Sequence, residues 1–177
     1  MKHEIGQLRG FDRRKAEQTR TVPFVFSTGE VDRHGTRLNM NNWSLHNFNR
    51  NGVALYSHDM GDEDPDKVIG SARAWVEDGK LLGEITFEPA DVNPLADKIF
   101  RKVLLKTLKA VSVGFIETER GHYDSDKIYN YGGQELLEIS VVSIPSNPSA
   151  LTRRKFKSDE QCREWMKRRT RYLKLNS

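Results

Sequence analysis

The chain has 177 residues, 31% of them charged, and a mean hydropathy of −0.71, which leaves room for one domain with a sizeable core and excludes a membrane-embedded helical protein. Its single cysteine, Cys162, excludes an internal disulfide and any cysteine-based metal cluster. The net charge of +4 is uneven: residues 151–177 carry ten Lys/Arg against Asp159, Glu160 and Glu164, a net +7, so residues 1–150 hold −3.

Residues 1–20 are polar and charged, without the apolar stretch of a secretory signal, and predict a flexible N-terminal arm in a cytoplasmic setting. Thr21–Thr28 reads as a first strand, with Pro23 marking an edge or a strand start. Gly29–Asn42 is rich in Gly, Asp and Asn and predicts turns, and Trp43–Asn51 a short helix. Val53–His58 reads as a second strand. Asp59–Asp66 is an acidic loop whose spacing, broken by Pro65, does not match a calcium-binding loop. Val68–Val76 and Lys80–Phe87 predict a hairpin turning at Asp78-Gly79.

Asn93 is a good N-cap with Pro94 behind it, and Leu95, Ile99, Val103 and Leu108 recur at helical spacing. The period then changes to two, with Val111, Val113 and Phe115 alternating with Ser112 and Gly114. Ser112 is thus a small hydroxyl on a rigid strand beside a glycine, a placement that suits a nucleophile as well as a plain outer-face serine. Ile116–Gly133 is polar, Gln134–Ile144 is a strong strand, and Pro145–Ser149 a rigid turn that stops it. Ser158–Leu175 opens with a capping-box pattern and continues as a basic amphipathic helix with Cys162 on its apolar stripe. The pattern predicts an α+β, mainly β fold: a small, mostly antiparallel sheet, closed or nearly so, with a packed helix. It divides the chain into an arm (1–20), a body (21–152) and a basic tail (153–177).

A serine becomes a nucleophile only with a base in hydrogen-bond reach and a third group orienting that base. Of the five histidines, His3, His34, His46 and His122 fall in polar or turn segments. His58 ends an apolar strand, where a rigid scaffold delivers a side chain to a cleft. Glu135 and Glu138 are the carboxylates on a predicted strand. No phosphate loop, dinucleotide-binding glycine pattern or zinc spacing is present, so neither metal nor cofactor is expected.

Three segments in order resemble the signatures of the HK97-type prohead proteases of tailed phages. They are Ser27–Gly35 followed by Trp43 and Val53–Asp59, then Lys109–Phe115, then Glu135–Ala150. The resemblance implies a serine endopeptidase on an assemblin-like fold, a small antiparallel β-barrel wrapped by helices as in the herpesvirus assembly proteases. It maps the histidine to His58, the serine to Ser112 and the acidic residue to Glu138. It also implies cleavage of major capsid protein or scaffold segments inside the immature head, in the host cytoplasm, often with self-processing. Pro-Ser-Asn-Pro-Ser stands here where many relatives have Pro-Ala-Asn, and the third member of the herpesvirus triad, a histidine, is replaced by carboxylates.

Within that reading, Ser146 and Asn147 in the turn after the Glu138 strand are the candidates for an oxyanion hole. Strand parity favours Glu138 over Glu135: Leu137, Ile139 and Val141 form one apolar row, which puts Glu138 on the opposite face and gives Glu135 the inward parity. Asp59, or a Ser112–His58 dyad, is the remaining alternative. The competing function is a non-catalytic assembly module. It would bind capsid protein as scaffold, with the basic tail holding a partner or nucleic acid; a homo-oligomer is compatible with either function, and so is contact of the tail with scaffold or nucleic acid.

Overall fold

The computed structural model describes residues 12–60 and 64–152. Helix α1 (Arg13–Thr19) is capped by Asp12, whose side chain accepts from Lys15 N, and its Ala16 joins the core. The later part of the expected flexible arm is therefore helical, held by one small apolar residue and a good N-cap. Residues 1–11 of that arm, and the basic tail helix with Cys162, lie outside the described residues.

β1 (Thr21–Thr28) pairs antiparallel with β6 (Lys80–Phe87), β6 with β5 (Val68–Glu77), and β5 with β4 (Val53–Tyr56). The β5–β6 hairpin turns on Asp78 and Gly79, at φ 51° and 67°, the left-handed pair that an Asp-Gly turn provides. The alternation of strand direction then breaks. β10 (Gly133–Val142) runs parallel to β4 and to β3 (Trp43–Ser44), and antiparallel to β7 (Ala110–Glu119). The sheet is mostly antiparallel as predicted, and its parallel pairs are the ones that β10 makes with β4 and β3 by inserting between β4 and β7. Of the short helix expected over Trp43–Asn51, His46–Arg50 is α2, while Trp43 and Ser44 form β3 instead.

Three two-residue strands, β2 (Thr36–Arg37), β8 (His122–Tyr123) and β9 (Tyr129–Asn130), form a small second sheet within segments predicted as turns and polar loop. The main sheet curls until residues 150–152 bridge its ends: Val25 N–H donates to Leu151 O at 2.8 Å and Val111 N–H to Ala150 O at 3.0 Å. The result is the α+β, mainly β architecture expected, a curled half-barrel with helices against it.

α3 (Pro94–Leu104) buries Ile99, Phe100 and Val103 in the core. Its cap, Asn93, is fully buried. The Asn93 side chain accepts from Ala96 N at 3.0 Å and donates to Asp66 O, Val68 O and Glu88 Oε2 at 2.9–3.1 Å. Asn93→Ala removes a cap and strands buried acceptors, and should cost about 2–4 kcal/mol. Thermal unfolding should register a fall of roughly 5–15 °C. A shift under 2 °C would mean that water replaces these bonds.

β10 carries a bulge. Leu136 sits opposite Phe115 and Glu138 opposite Gly114, so Leu137 is the extra residue and is 47% exposed. The inward row is Leu136, Ile139 and Val141, which corrects the row read from sequence.

Candidate active site

β10 lies between β4 and β7 and supplies the middle of the site. Ser112 on β7 pairs directly with Ser140 on β10, and Gly114 with Glu138. Directly opposed residues of an antiparallel pair project to the same face, so Ser112, Glu138 and Ser140 look the same way. That face is covered rather than solvated: Ser112 is 7% and Glu138 8% exposed.

His58 reaches this face by a turn and not by strand alternation. β4 ends at Tyr56, and Asp59 N–H donates back to Tyr56 O at 3.2 Å. The two residues between, Ser57 and His58, have φ of 57° and 60°. Left-handed backbone at a non-glycine residue costs on the order of 1–3 kcal/mol. The neighbours offset it: Ser57 N–H donates to Val141 O at 3.0 Å, His58 N–H to Ser140 Oγ at 2.9 Å, and Lys67 Nζ pairs with Asp59 Oδ2 at 2.8 Å.

So aimed, His58 Nδ1 lies 2.7 Å from Glu138 Oε1, and Glu138 Oε2 accepts from Ser140 Oγ at 2.7 Å. With Nδ1–H donating to the carboxylate, Nε2 is the basic nitrogen. The imidazole is 45% exposed and the carboxylate 10%. The hydrogen bond to Glu138 is the largest influence on His58 and raises its pKa, burial opposes it, and the carboxylate charge adds to the rise. The pair therefore contributes fully to stability below the unfolded histidine value of about 6.5, and loses that contribution as pH rises through the higher folded value.

Gly114 makes this pair possible. A Cβ there would stand 2.2 Å from Glu138 Oε1 and 2.9 Å from its Cδ and Cγ. Gly114→Ala should therefore displace the carboxylate from His58. Nuclear magnetic resonance titration should show the His58 pKa falling towards about 6.5 in a folded protein; an unmoved titration would mean that the strand shifts instead.

The other carboxylates are engaged elsewhere. Glu135 Oε1 accepts from Asn47 Nδ2 at 2.7 Å, and Asp59 binds Lys67. The bulge at Leu137 breaks the parity that assigned Glu135 inward, and its side chain is in fact only half-buried.

Beside Ser112, between the end of β1 and the outer edge of β7, opens a cleft of about 280 Å³. Its walls include Phe26, Phe115 and Tyr131, with His34, Ser146 and Asn147 also on its lining. The Asn147 side chain is committed to Thr28, its Nδ2 donating to O at 3.1 Å and to Oγ1 at 3.0 Å. Ser146 Oγ stands 3.3 Å from His34 Nε2. In the sequence His34 is a turn residue and Ser140 has no marked role. Only the shared parity of Ser140 with Glu138, two residues apart on one strand, hinted at it. Among the described residues no group of three or more His, Cys, Asp or Glu is placed to hold a metal ion, and no helix is long and apolar enough to cross a membrane.

A hydroxyl on β7, a carboxylate on β10 and an imidazole on the turn after β4 are the parts list of a serine hydrolase. Residues 42–164, well over half the chain, match the caudovirus prohead serine protease family, and the chain belongs to that family. It is by family a phage capsid-maturation protease, of the kind that functions inside the procapsid in the host cell. The match spans His58, Ser112 and Glu138, begins after Ser27–Gly35 and runs into the basic tail. No curated protein and no solved structure matches the chain.

Proposed function

We propose that the chain is a serine endopeptidase in which Ser112 is the nucleophile, His58 the general base and acid, and Glu138 the group that orients His58. The observation that carries this is the 2.7 Å His58–Glu138 bond beside the Ser112–Ser140 pair. Ser112 Oγ attacks the scissile carbonyl carbon while its proton passes to His58 Nε2. The tetrahedral intermediate collapses, the C–N bond breaks, and His58 returns the proton to the leaving amine. Water, deprotonated by the same nitrogen, then releases the acyl group from Ser112. Main-chain N–H groups of Ser146 and Asn147 at the cleft serve as the oxyanion donors, and the cleft itself receives a substrate side chain. The substrates are segments of major capsid protein or scaffold, and the chain itself.

A fluorophosphonate, which phosphonylates activated serines with loss of fluoride, tests this without a known cleavage site. The label should map to Ser112 by mass spectrometry. Its rate should rise with pH and level off above the His58 pKa, since only neutral imidazole accepts the proton. Because Glu138 raises that pKa, the inflection should lie above about 6.5. No label at Ser112, or label on another serine, overturns the assignment.

The tail favours a second, compatible role. With +7 over residues 151–177 it is suited to a polyanion, either nucleic acid or an acidic scaffold. Binding of the full chain to DNA should weaken with salt, and changing Lys167, Arg168, Arg169 and Arg171 to Gln should flatten the log–log slope by up to about 3–4. A slope that does not change would remove these residues from the contact.

A further inference from the structure

We propose that Ser140 is a positioning residue of the active site, whose single hydroxyl fixes both the Glu138 carboxylate and the main chain of His58. The inference rests on the proposed roles of Ser112, His58 and Glu138. Ser140 is fully buried. Its Oγ donates to Glu138 Oε2 at 2.7 Å and accepts from His58 N–H at 2.9 Å. A hydroxyl has one proton to donate. Once that proton is committed to the carboxylate, a lone pair remains for the histidine N–H, and both bonds reinforce one orientation.

The two bonds do different things. Glu138 is held at both oxygens, Oε1 by His58 and Oε2 by Ser140, so it cannot swing about its terminal torsion. His58 sits at φ 60°, and its N–H anchor is one of the contacts that hold that backbone in place. Ser112 lies directly across from Ser140. The orienting carboxylate and the base's turn therefore meet at one oxygen atom, on the residue that pairs with the nucleophile across the β7–β10 ladder. A buried strand serine that merely satisfied its own hydroxyl would bond to a nearby main-chain carbonyl; this one spends its proton on Glu138. The other charges near the turn, Asp59 and Lys67, pair with each other.

The test is a cycle of variants read by the rate of fluorophosphonate labelling at Ser112. S140A should label about 10–100-fold more slowly, the range seen when outer groups that orient a catalytic ligand are removed. E138Q should be slower still. The double variant E138Q/S140A should lose far less than the product of the two, because Ser140 acts largely through Glu138. In S140A the His58 pKa, followed by nuclear magnetic resonance, should fall back towards about 6.5, which a purely structural role would not produce. If S140A does not fold, S140C, nearly the same shape with a poor donor, takes its place in the cycle. Losses that multiply, or an S140A protein with wild-type rate and titration, would overturn the role of Ser140 while E138Q stays slow. A wild-type chain that does not label, or an E138Q chain with wild-type rate, would overturn the catalytic assignment itself, and the role of Ser140 with it.

Discussion

Ser112→Ala is expected to abolish peptide-bond cleavage, with a loss of about 10⁴–10⁶-fold, and to leave the fold intact. The substitution removes one oxygen from a strand residue whose core-facing neighbour, Val111, is untouched, so its effect on stability should stay within about 1 kcal/mol. The rate loss is large because no hydroxyl stands beside it to take over: the residues two along on β7 are Ala110 and Gly114. Incubation of the purified chain with capsid protein, read on a gel against circular dichroism of the variant, separates the two effects. Near-normal cleavage by a folded variant would take Ser112 out of the mechanism. Cys162→Ser should change nothing in the same assay.

Glu138→Gln is the second large effect, with a loss on the order of 10⁴-fold in turnover. The amide keeps the shape but removes the charge that stabilises imidazolium. It also offers one acceptor where the carboxylate receives two donors, His58 Nδ1–H and Ser140 Oγ–H. The amide can turn its NH₂ to His58 and select the wrong tautomer, leaving a proton on Nε2. With the carboxylate gone, the cause of the raised His58 pKa is gone too, so the inflection of the residual activity should move down towards about 6.5. Glu135→Gln touches only the bond to Asn47 and should alter turnover by less than about threefold. Equal, small losses from both would leave a Ser112–His58 dyad or move the third role to Asp59.

Much of this was legible in the residues. The Asn93-Pro94 cap, the Asp78-Gly79 turn and the alternation around Ser112 are local signals, and each appears where its chemistry puts it. What was not legible depends on contacts between distant segments. The turn that aims His58 has no glycine or asparagine at its two left-handed positions, so nothing local marks it; Val141 and Ser140, more than eighty residues away, hold it. The bulge at Leu137 shifts the parity of β10 without a Gly or Pro to announce it. Parity still put Ser112 and Glu138 on one face, since both follow the bulge-free part of the β7–β10 register. β2, β8 and β9 are too short and polar to show a period, and exist because they pair with one another.

The insertion of β10 between β4 and β7 has a consequence for when the enzyme begins to work. His58 and Ser112 are both synthesised before the strand that joins them, and neither β4 nor β7 pairs with the other. A nascent chain ending before residue 138 holds the proposed nucleophile and base on segments that do not pair, with no Glu138 between them and a histidine turn without its bonds to Ser140 and Val141. Pairings over such sequence separations are the slow ones to form. On the proposed assignment of Ser112, His58 and Glu138, competence therefore waits for β10 to take its place between β4 and β7.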